Sequence, residues 1–361
     1  MGEAQRWRFL APRASTTLSP LDAPPSLSVV IAAYRARETV AEAVRSALEQ
    51  TLPPTEVIVV DDASHDGTES VLEPYRDRIT FIAREENGGE GAAKNTGIEA
   101  ASGEFVVFLD ADDIFLPQRL EALGAFAVAR PDLDILTTDA YLVHDGQRLR
   151  RAYEQGFSFE VDDQRRGILE RNFILGHTAV RRSRLVAVGG FDEAIRRTTD
   201  WDLWLRMIFA GSRAGLIDAP LSHYRLHETA LSSDRLAMTE GKLQTLEKAR
   251  RSSLGLSAAE RATLDASISH LTQLARLEAA VRALAEGSDR ARRLAVAIAT
   301  SRDYGLATRA KAFFAAVAPA AARRLLRRRG EGFVGVGDIR PTTSERTAAS
   351  QGQGDDRQAS A

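Results

Sequence analysis

The chain has 361 residues, 44% hydrophobic and 27% charged, with a formal net charge of −2 at pH 7. That is the make-up of a globular protein with room for one large domain plus an appendage, or for two modest domains. The near-neutral balance gives no case for bulk nucleic-acid binding. The absence of cysteine excludes disulfides and thiolate metal sites and fits a reducing, cytoplasmic setting.

Residues 1–26 have no apolar signal core, and Pro20, Pro24 and Pro25 sit among small and polar residues, so a flexible leader is expected. The run LSVVIAA at 27–33 is apolar throughout, the pattern of a parallel strand covered on both faces. Over 38–50, Val40, Val44, Ala47 and Leu48 form one helical stripe, which Pro53 and Pro54 terminate. A second buried strand at 57–60 runs into Asp61 and Asp62, and SHDGT after it is turn chemistry. A helix near 69–75 and a short strand near 79–83 follow. The loop NGGEG at 87–91 leads into a helix over 92–101 and a strand over 104–109. An amphipathic helix over 117–129 stops before Pro131. This alternation predicts an α/β fold with a mostly parallel sheet and crossover helices, whose ligands bind at the carboxyl ends of the strands.

After 135–138 the alternation fades. Asp145-Gly146 predicts a hairpin, GGFDE at 189–193 a loop and 201–210 a helix. From 238 to 300 the chain is Ala, Leu, Arg and Glu at helical spacing, so a helical extension over 236–330 is expected, then a disordered tail over 331–361. Residues 310–329 mix apolar side chains with five arginines and a lysine. Two readings stay open there: an interfacial helix on anionic lipid, which would place the protein peripherally on the inner face of a membrane, or a packed amphipathic helix with a solvated basic end. No apolar run approaches the roughly 20 residues of a spanning helix.

The stretch GEFVVFLDADD at 103–113 ends its strand in three carboxylates, Asp110, Asp112 and Asp113. In an extended chain Asp110 and Asp112 point the same way, and oxygen ligands suit Mg²⁺ or Mn²⁺. A solvated acidic turn is the alternative. A dinucleotide fingerprint fails, since AYRA follows the first strand, and no GxxxxGK[ST] exists.

Taken in order, VVDDASHDGT (59–68), NGGEGAAKNTGI (87–98), FLDADD (108–113), GGFDE (189–193) and TTDWDLWLR (198–206) form a series that resembles the family 2 glycosyltransferases. The resemblance implies a GT-A catalytic domain over 27–235 that inverts the anomeric centre. A sugar would pass from a nucleoside-diphosphate sugar to a hydroxyl of a glycan or lipid-linked acceptor. It places Ala33 and Tyr34 at the nucleotide, with Tyr34 as the platform for the base. Asp62 stands on the residue that accepts from a base imide, which favours UDP. Gly89 and Lys94 fall in the donor loop, Lys94 standing where an arginine is usual. Asp110 falls near the donor ribose and the metal, Ala111 at the donor, Asp112 directly on the metal, and His227 on a histidine that assists the metal or diphosphate. Asp200 falls on the catalytic base, with Thr199 where glutamate is usual and Asp202 as the other candidate. A helix N-cap for Asp200, a turn cap for Asp61 and Asp62, and an exposed helix face for Lys94 are the purely structural alternatives. Two other functions are weighed. A sugar nucleotidyltransferase needs a Gly-rich, Arg-bearing signature that AAYRARETV lacks, whereas a non-catalytic binding relative would keep the scaffold alone.

Overall fold

The computed structural model describes residues 7–12, 23–153, 158–227 and 234–329. Its first half follows the strand–helix alternation: β1 (Phe9–Leu10), β2 (Leu27–Ala33), α1 (Val40–Leu48), β3 (Glu56–Asp61), α2 (Thr68–Val71), β4 (Thr80–Ala83), α3 (Glu90–Ala100) and β5 (Phe105–Asp110). Next come β6 (Ile114–Phe115), α4 (Arg119–Ala129), β7 (Ile135–His144), β8 (Gln147–Arg151), α5 (Gln164–Glu170), β9 (Thr178–Arg181), α6 (Arg182–Ala187), α7 (Thr199–Phe209) and β10 (Ala214–Arg225). Five helices close the chain: α8 (Arg235–Arg251), α9 (Ala258–Glu286), α10 (Arg290–Thr300), α11 (Leu306–Val317) and α12 (Pro319–Arg329).

The described strands form one sheet ordered β1-β10-β7-β9-β5-β2-β3-β4, with β6 on β10 and β8 on β7. Strands β5, β2, β3 and β4 pair in parallel, as does β10 with β7, while β9 lies antiparallel between β5 and β7. The continuous apolar run of β2 follows from this burial. Val29 and Ile31 face the layer of α1 and α4, with Val44 and Leu123, whereas Val30 faces α3 and α7, with Ile98 and Trp204. Each such side chain contributes roughly 1.5–3 kcal/mol by leaving water. Helix α3 lies so close to β2 that a Cβ on Gly97 would sit 2.3 Å from Val30 Cγ1, so only glycine fits. Strand order reverses between β2 and β5, and the crevice at their carboxyl ends is where such sheets bind ligands.

The leader expectation changes in part. Part of the expected leader is sheet, since Phe9 and Leu10 pair antiparallel with β10 and Phe9 stacks on Phe126 at 4.3 Å between ring centres. The expected tail over 331–361 lies outside the described residues, as do 1–6 and 13–22 of the leader. The boundary at 235 does not separate two cores, because Leu246 of α8 and Leu264 and Ile268 of α9 pack in the cluster that holds Trp204. An Arg165–Glu260 ion pair at 2.6 Å ties α5 to α9. The Asp145-Gly146 hairpin is present, with φ of 49° and 74° at the two turn residues. No helix among the described residues is long and apolar enough to cross a membrane.

Candidate active site

The acidic stretch does not stay extended. β5 ends at Asp110, and the Asp113 amide donates to the Asp110 carbonyl at 3.0 Å, so the chain turns within the motif. The i, i+2 rule therefore stops applying, and Asp110 is grouped with Asp113 rather than with Asp112. Carboxylate oxygens of Asp110 and Asp113 and a ring nitrogen of His177 all lie within 4.8 Å of one another. Asp112 turns instead to His227, with Oδ2 2.7 Å from Nε2 and both side chains a little over a third exposed. Ala111, between the two aspartates, is buried.

Beneath these groups is a sealed polar layer. Asp113 accepts the Arg225 amide at 2.7 Å and lies 2.6 Å from His177 Nε2, while His177 Nδ1 is 3.1 Å from Ser222 Oγ. Arg119, fully buried, donates to the His177 carbonyl and to Thr138 Oγ1 and lies 4.6 Å from the centre of the Phe115 ring. Burial pushes the Arg119 guanidinium down to about 9 against the pull of Asp113. Burial likewise pushes the Asp113 carboxyl up to about 6, with His177 opposing and Asp112 and Asp110 adding to the rise.

Two donor-side expectations are corrected. Asp62 is 2% exposed. Its carboxylate accepts the amides of Gly88 at 3.0 Å and Gly89 at 2.7 Å and lies 3.0 Å from Arg84 Nε. It is the peg that holds the glycine loop on the end of β3, with no open face for a base imide. Asp61 is a local cap, bonding the hydroxyl of Ser64. Lys94 is neither on an exposed helix face nor extended toward the cleft. It is 2% exposed and bonds Glu90 and, at 2.9 Å, Asp110. Burial opposes its charge, but the two carboxylates outweigh burial and hold it protonated. The same ammonium outweighs burial at Asp110 and keeps that carboxyl below its usual range. Tyr34, just past β2 and the buried Ala33, is 48% exposed, with the Arg35 guanidinium 5.2 Å from its ring centre. Gly89 has φ 87° and precedes α3, and a Cβ there would strike Arg196.

The GGFDE and TTDWDLWLR motifs are wired to this loop. Asn95 of α3 donates to the Phe191 carbonyl at 2.9 Å and accepts the Phe191 amide at 2.8 Å, fixing the GGFDE loop. Gly190, at φ 66°, leaves no room for a Cβ beside Asn95. Thr198 precedes α7 at φ 55°, a strained position for a β-branched residue at a cost of roughly 1–3 kcal/mol. Its hydroxyl is 3.0 Å from that of Thr245 on α8. Asp200 is thus the second residue of α7, not its cap. It accepts from Asn172 Nδ2 at 2.8 Å and from the Trp201 amide at 2.8 Å. Loss of water, then repulsion from Glu90, pushes its carboxyl up to about 6. Asp202 is buried and engaged, 2.8 Å from Arg206 and 2.6 Å from Lys248. Neither tryptophan is free to stack on a sugar, because Trp204 is fully buried and Trp201 donates its indole N–H to the Ile168 carbonyl at 2.8 Å.

The sequence profile described as "Glycosyl transferase family 2" matches residues 28–188. TuaG of Bacillus subtilis (strain 168), a glycosyltransferase assigned by name to teichuronic acid biosynthesis, is 32% identical over 214 residues, which cover 58% of this chain and 83% of TuaG. The chain belongs to glycosyl transferase family 2. Its GT-A fold is shared with S. aureus TarS 1–349 in complex with UDP, at a TM-score of 0.54 and 19% identity over 87% of this chain and 94% of that one. The mannosyltransferase PcManGT from Pyrobaculum calidifontis, solved with GDP-Man and Mn²⁺, superposes at a TM-score of 0.54 and 20% identity over 89% and 92%. Within this family 2 member, sequence reasoning missed His177, Arg225, Glu90 and Asn172. Glu90 lies inside the glycine-loop motif but carries no signal of its own, and the other three are single polar residues that only the fold brings to the motifs.

Proposed function

We propose that the protein is a metal-assisted, inverting glycosyltransferase that moves a sugar from a nucleoside-diphosphate sugar, UDP by preference, to a hydroxyl of a glycan or lipid-linked acceptor. One observation carries the reading. Asp200, held by Asn172 at 2.8 Å and pushed up to about 6 by burial and then by Glu90, lies within electrostatic reach of the Asp110–Lys94–Glu90 ion pairs at the acidic strand end. A base with a pKa near working pH is suited to take a proton from an alcohol, and the acidic end of β5 is suited to the donor diphosphate.

In the reaction, Asp200 accepts the acceptor hydroxyl proton as that oxygen attacks the anomeric carbon. The bond from the anomeric carbon to the diphosphate oxygen breaks, its electron pair leaves with the nucleoside diphosphate, and the configuration inverts. Asn172 orients the Asp200 carboxylate through its 2.8 Å hydrogen bond. Asp112 and His227, partly open to solvent and 2.7 Å apart, are the groups that would hold a divalent cation. Carboxylates with one imidazole favour Mn²⁺ over Mg²⁺. When bound, such an ion stabilises the charge on the leaving diphosphate. Tyr34 remains the platform for the base. The preference for UDP is supported by the TarS complex, while GDP-Man in the mannosyltransferase makes a donor panel the direct check.

Release of nucleoside diphosphate from UDP-, GDP- and dTDP-sugars, with and without Mn²⁺, tests the whole reading. Asp200→Asn should lower turnover by roughly 10²–10⁴-fold while leaving thermal stabilisation by the donor intact. Full turnover in that variant removes Asp200 from the reaction.

A further inference from the structure

Residues 304–329 contain seven lysines and arginines and no aspartate or glutamate. They form α11 and α12, and the way these helices pack inverts the usual pattern. An ordinary amphipathic helix turns its large apolar residues inward. Here alanines do the packing, Ala312, Ala316 and Ala322 being buried, while Leu306 is 81% exposed, Val317 67%, Phe313 63% and Leu325 53%. Single exposed apolar residues are ordinary, but Phe313 and Val317 lie one turn apart on the same helix face. Phe313 and Val317 share a shallow groove with Val296 and Arg292 of α10.

The basic residues divide by task. Arg309 donates to the Ala299 carbonyl at 3.0 Å and Arg323 to the Ala285 carbonyl at 2.9 Å, seating α11 and α12 on the carboxyl ends of α10 and α9. Lys311, Arg324 and Arg292 are exposed, and Arg292 lines the apolar groove itself. We propose that the α10–α12 face docks peripherally on an anionic lipid bilayer, with Phe313 and Val317 entering the boundary between headgroups and acyl chains and the exposed cations meeting lipid phosphates. Charge selects this occupant. A second copy would bring the same uncompensated positive face, whereas a bilayer that is anionic outside and apolar within a few ångströms satisfies both features at once. The inference stands apart from the transferase chemistry and does not rest on it.

Flotation of the full chain with vesicles tests it. Association is expected with phosphatidylglycerol–phosphatidylcholine vesicles, weakening as salt rises, and not with phosphatidylcholine alone. Lys311→Glu with Arg324→Glu should weaken binding by about 25-fold or more, at about fivefold per basic residue removed. Phe313→Ser with Val317→Ser should also release the protein. All four positions are exposed, so unchanged thermal midpoints are expected, and either pair carries the test if the other misfolds. The proposal is overturned by failure to bind anionic vesicles, by equal binding to neutral ones, or by binding that survives both double variants. A serine pair that shifts only a dimer–monomer equilibrium on size exclusion also overturns it, in favour of a second copy.

Discussion

Asp113 and His177 lie 2.6 Å apart with 3% and 2% of their side chains exposed; Asp112 and His227 lie 2.7 Å apart with 38% and 39% exposed. The chemistry and spacing are the same, and only the surroundings differ. The inner pair is sealed between the Arg119 layer and the Arg225 backbone, so its charges already have partners. A divalent ion entering there would have to shed its water and displace those partners, which Mg²⁺ in particular resists. The outer pair is more than a third exposed to solvent. The inner pair also builds the outer one, because the Asp113–Arg225 bond pins β5's turn to β10 and so brings Asp112, one residue back, to His227, two residues on.

The largest expected effect comes from breaking the outer pair. His227→Ala or Asp112→Ala should cut Mn²⁺-stimulated transfer by more than about 100-fold, since loss of even an indirect metal partner costs about 10–100-fold. The thermal midpoint should hardly move, as for other substitutions at open positions. Transfer assays over a Mn²⁺ titration, beside a melting curve, check both halves. Retained transfer would place the ion elsewhere.

Breaking the inner pair should do the reverse. His177→Ala leaves Asp113 buried without its imidazole, a change that costs about 3–5 kcal/mol. At a little over about 1 °C per kcal/mol for a chain of this length, the midpoint should fall by about 5 °C. Residual activity measured well below that midpoint should fall far less than in His227→Ala. An unchanged midpoint with lost transfer would exchange the roles of the two pairs.

This comparison also marks how far the sequence could be read. The strands β2, β3 and β5 were legible because burial on both faces writes itself as unbroken apolar runs, and Asp145-Gly146 because its turn demands positive φ. β9 was hidden by its four-residue length, and β10 by Pro220, where its pairing with β7 shifts register. The motif residues Asp110, Asp112, Asp200 and His227 were legible as types in order. Their partners were not. His177 and Arg225 meet Asp113 from far along the chain, and nothing local in ILGHTAV or SHYRLH announces it. Asp62 and Lys94 were misread for the same reason, since spacing cannot show whether a charge already has its partner.

Asp200 gives the comparison its third member. Like Asp113 it is pushed up to about 6 by burial and by neighbouring carboxylates, Glu90 here and Asp112 and Asp110 there, but an imidazole opposes the rise at Asp113 where the Trp201 amide, Lys94 and Asn172 oppose it at Asp200. A folded pKa above the ordinary carboxyl value of about 4 means that the native chain keeps a proton the unfolded chain releases. Stability from this group is therefore fullest below about pH 4, falls as pH rises toward 6, and stays lowered above it. Asp200→Asn removes that titration. Its midpoint should lie close to wild type near pH 4 and exceed it by a few degrees at pH 7.5, since a shift of two pKa units is about 3 kcal/mol and each is worth a little over about 1 °C in a chain of this length. Transfer in the wild type should run the other way, losing about tenfold per unit below pH 6 as the base takes up its proton. Melting curves and kcat/KM across pH 4–8 read both slopes on one protein. A stability difference that is flat with pH would show Asp200 to be an ordinary surface carboxylate, and the acid limb of activity would then belong to another group.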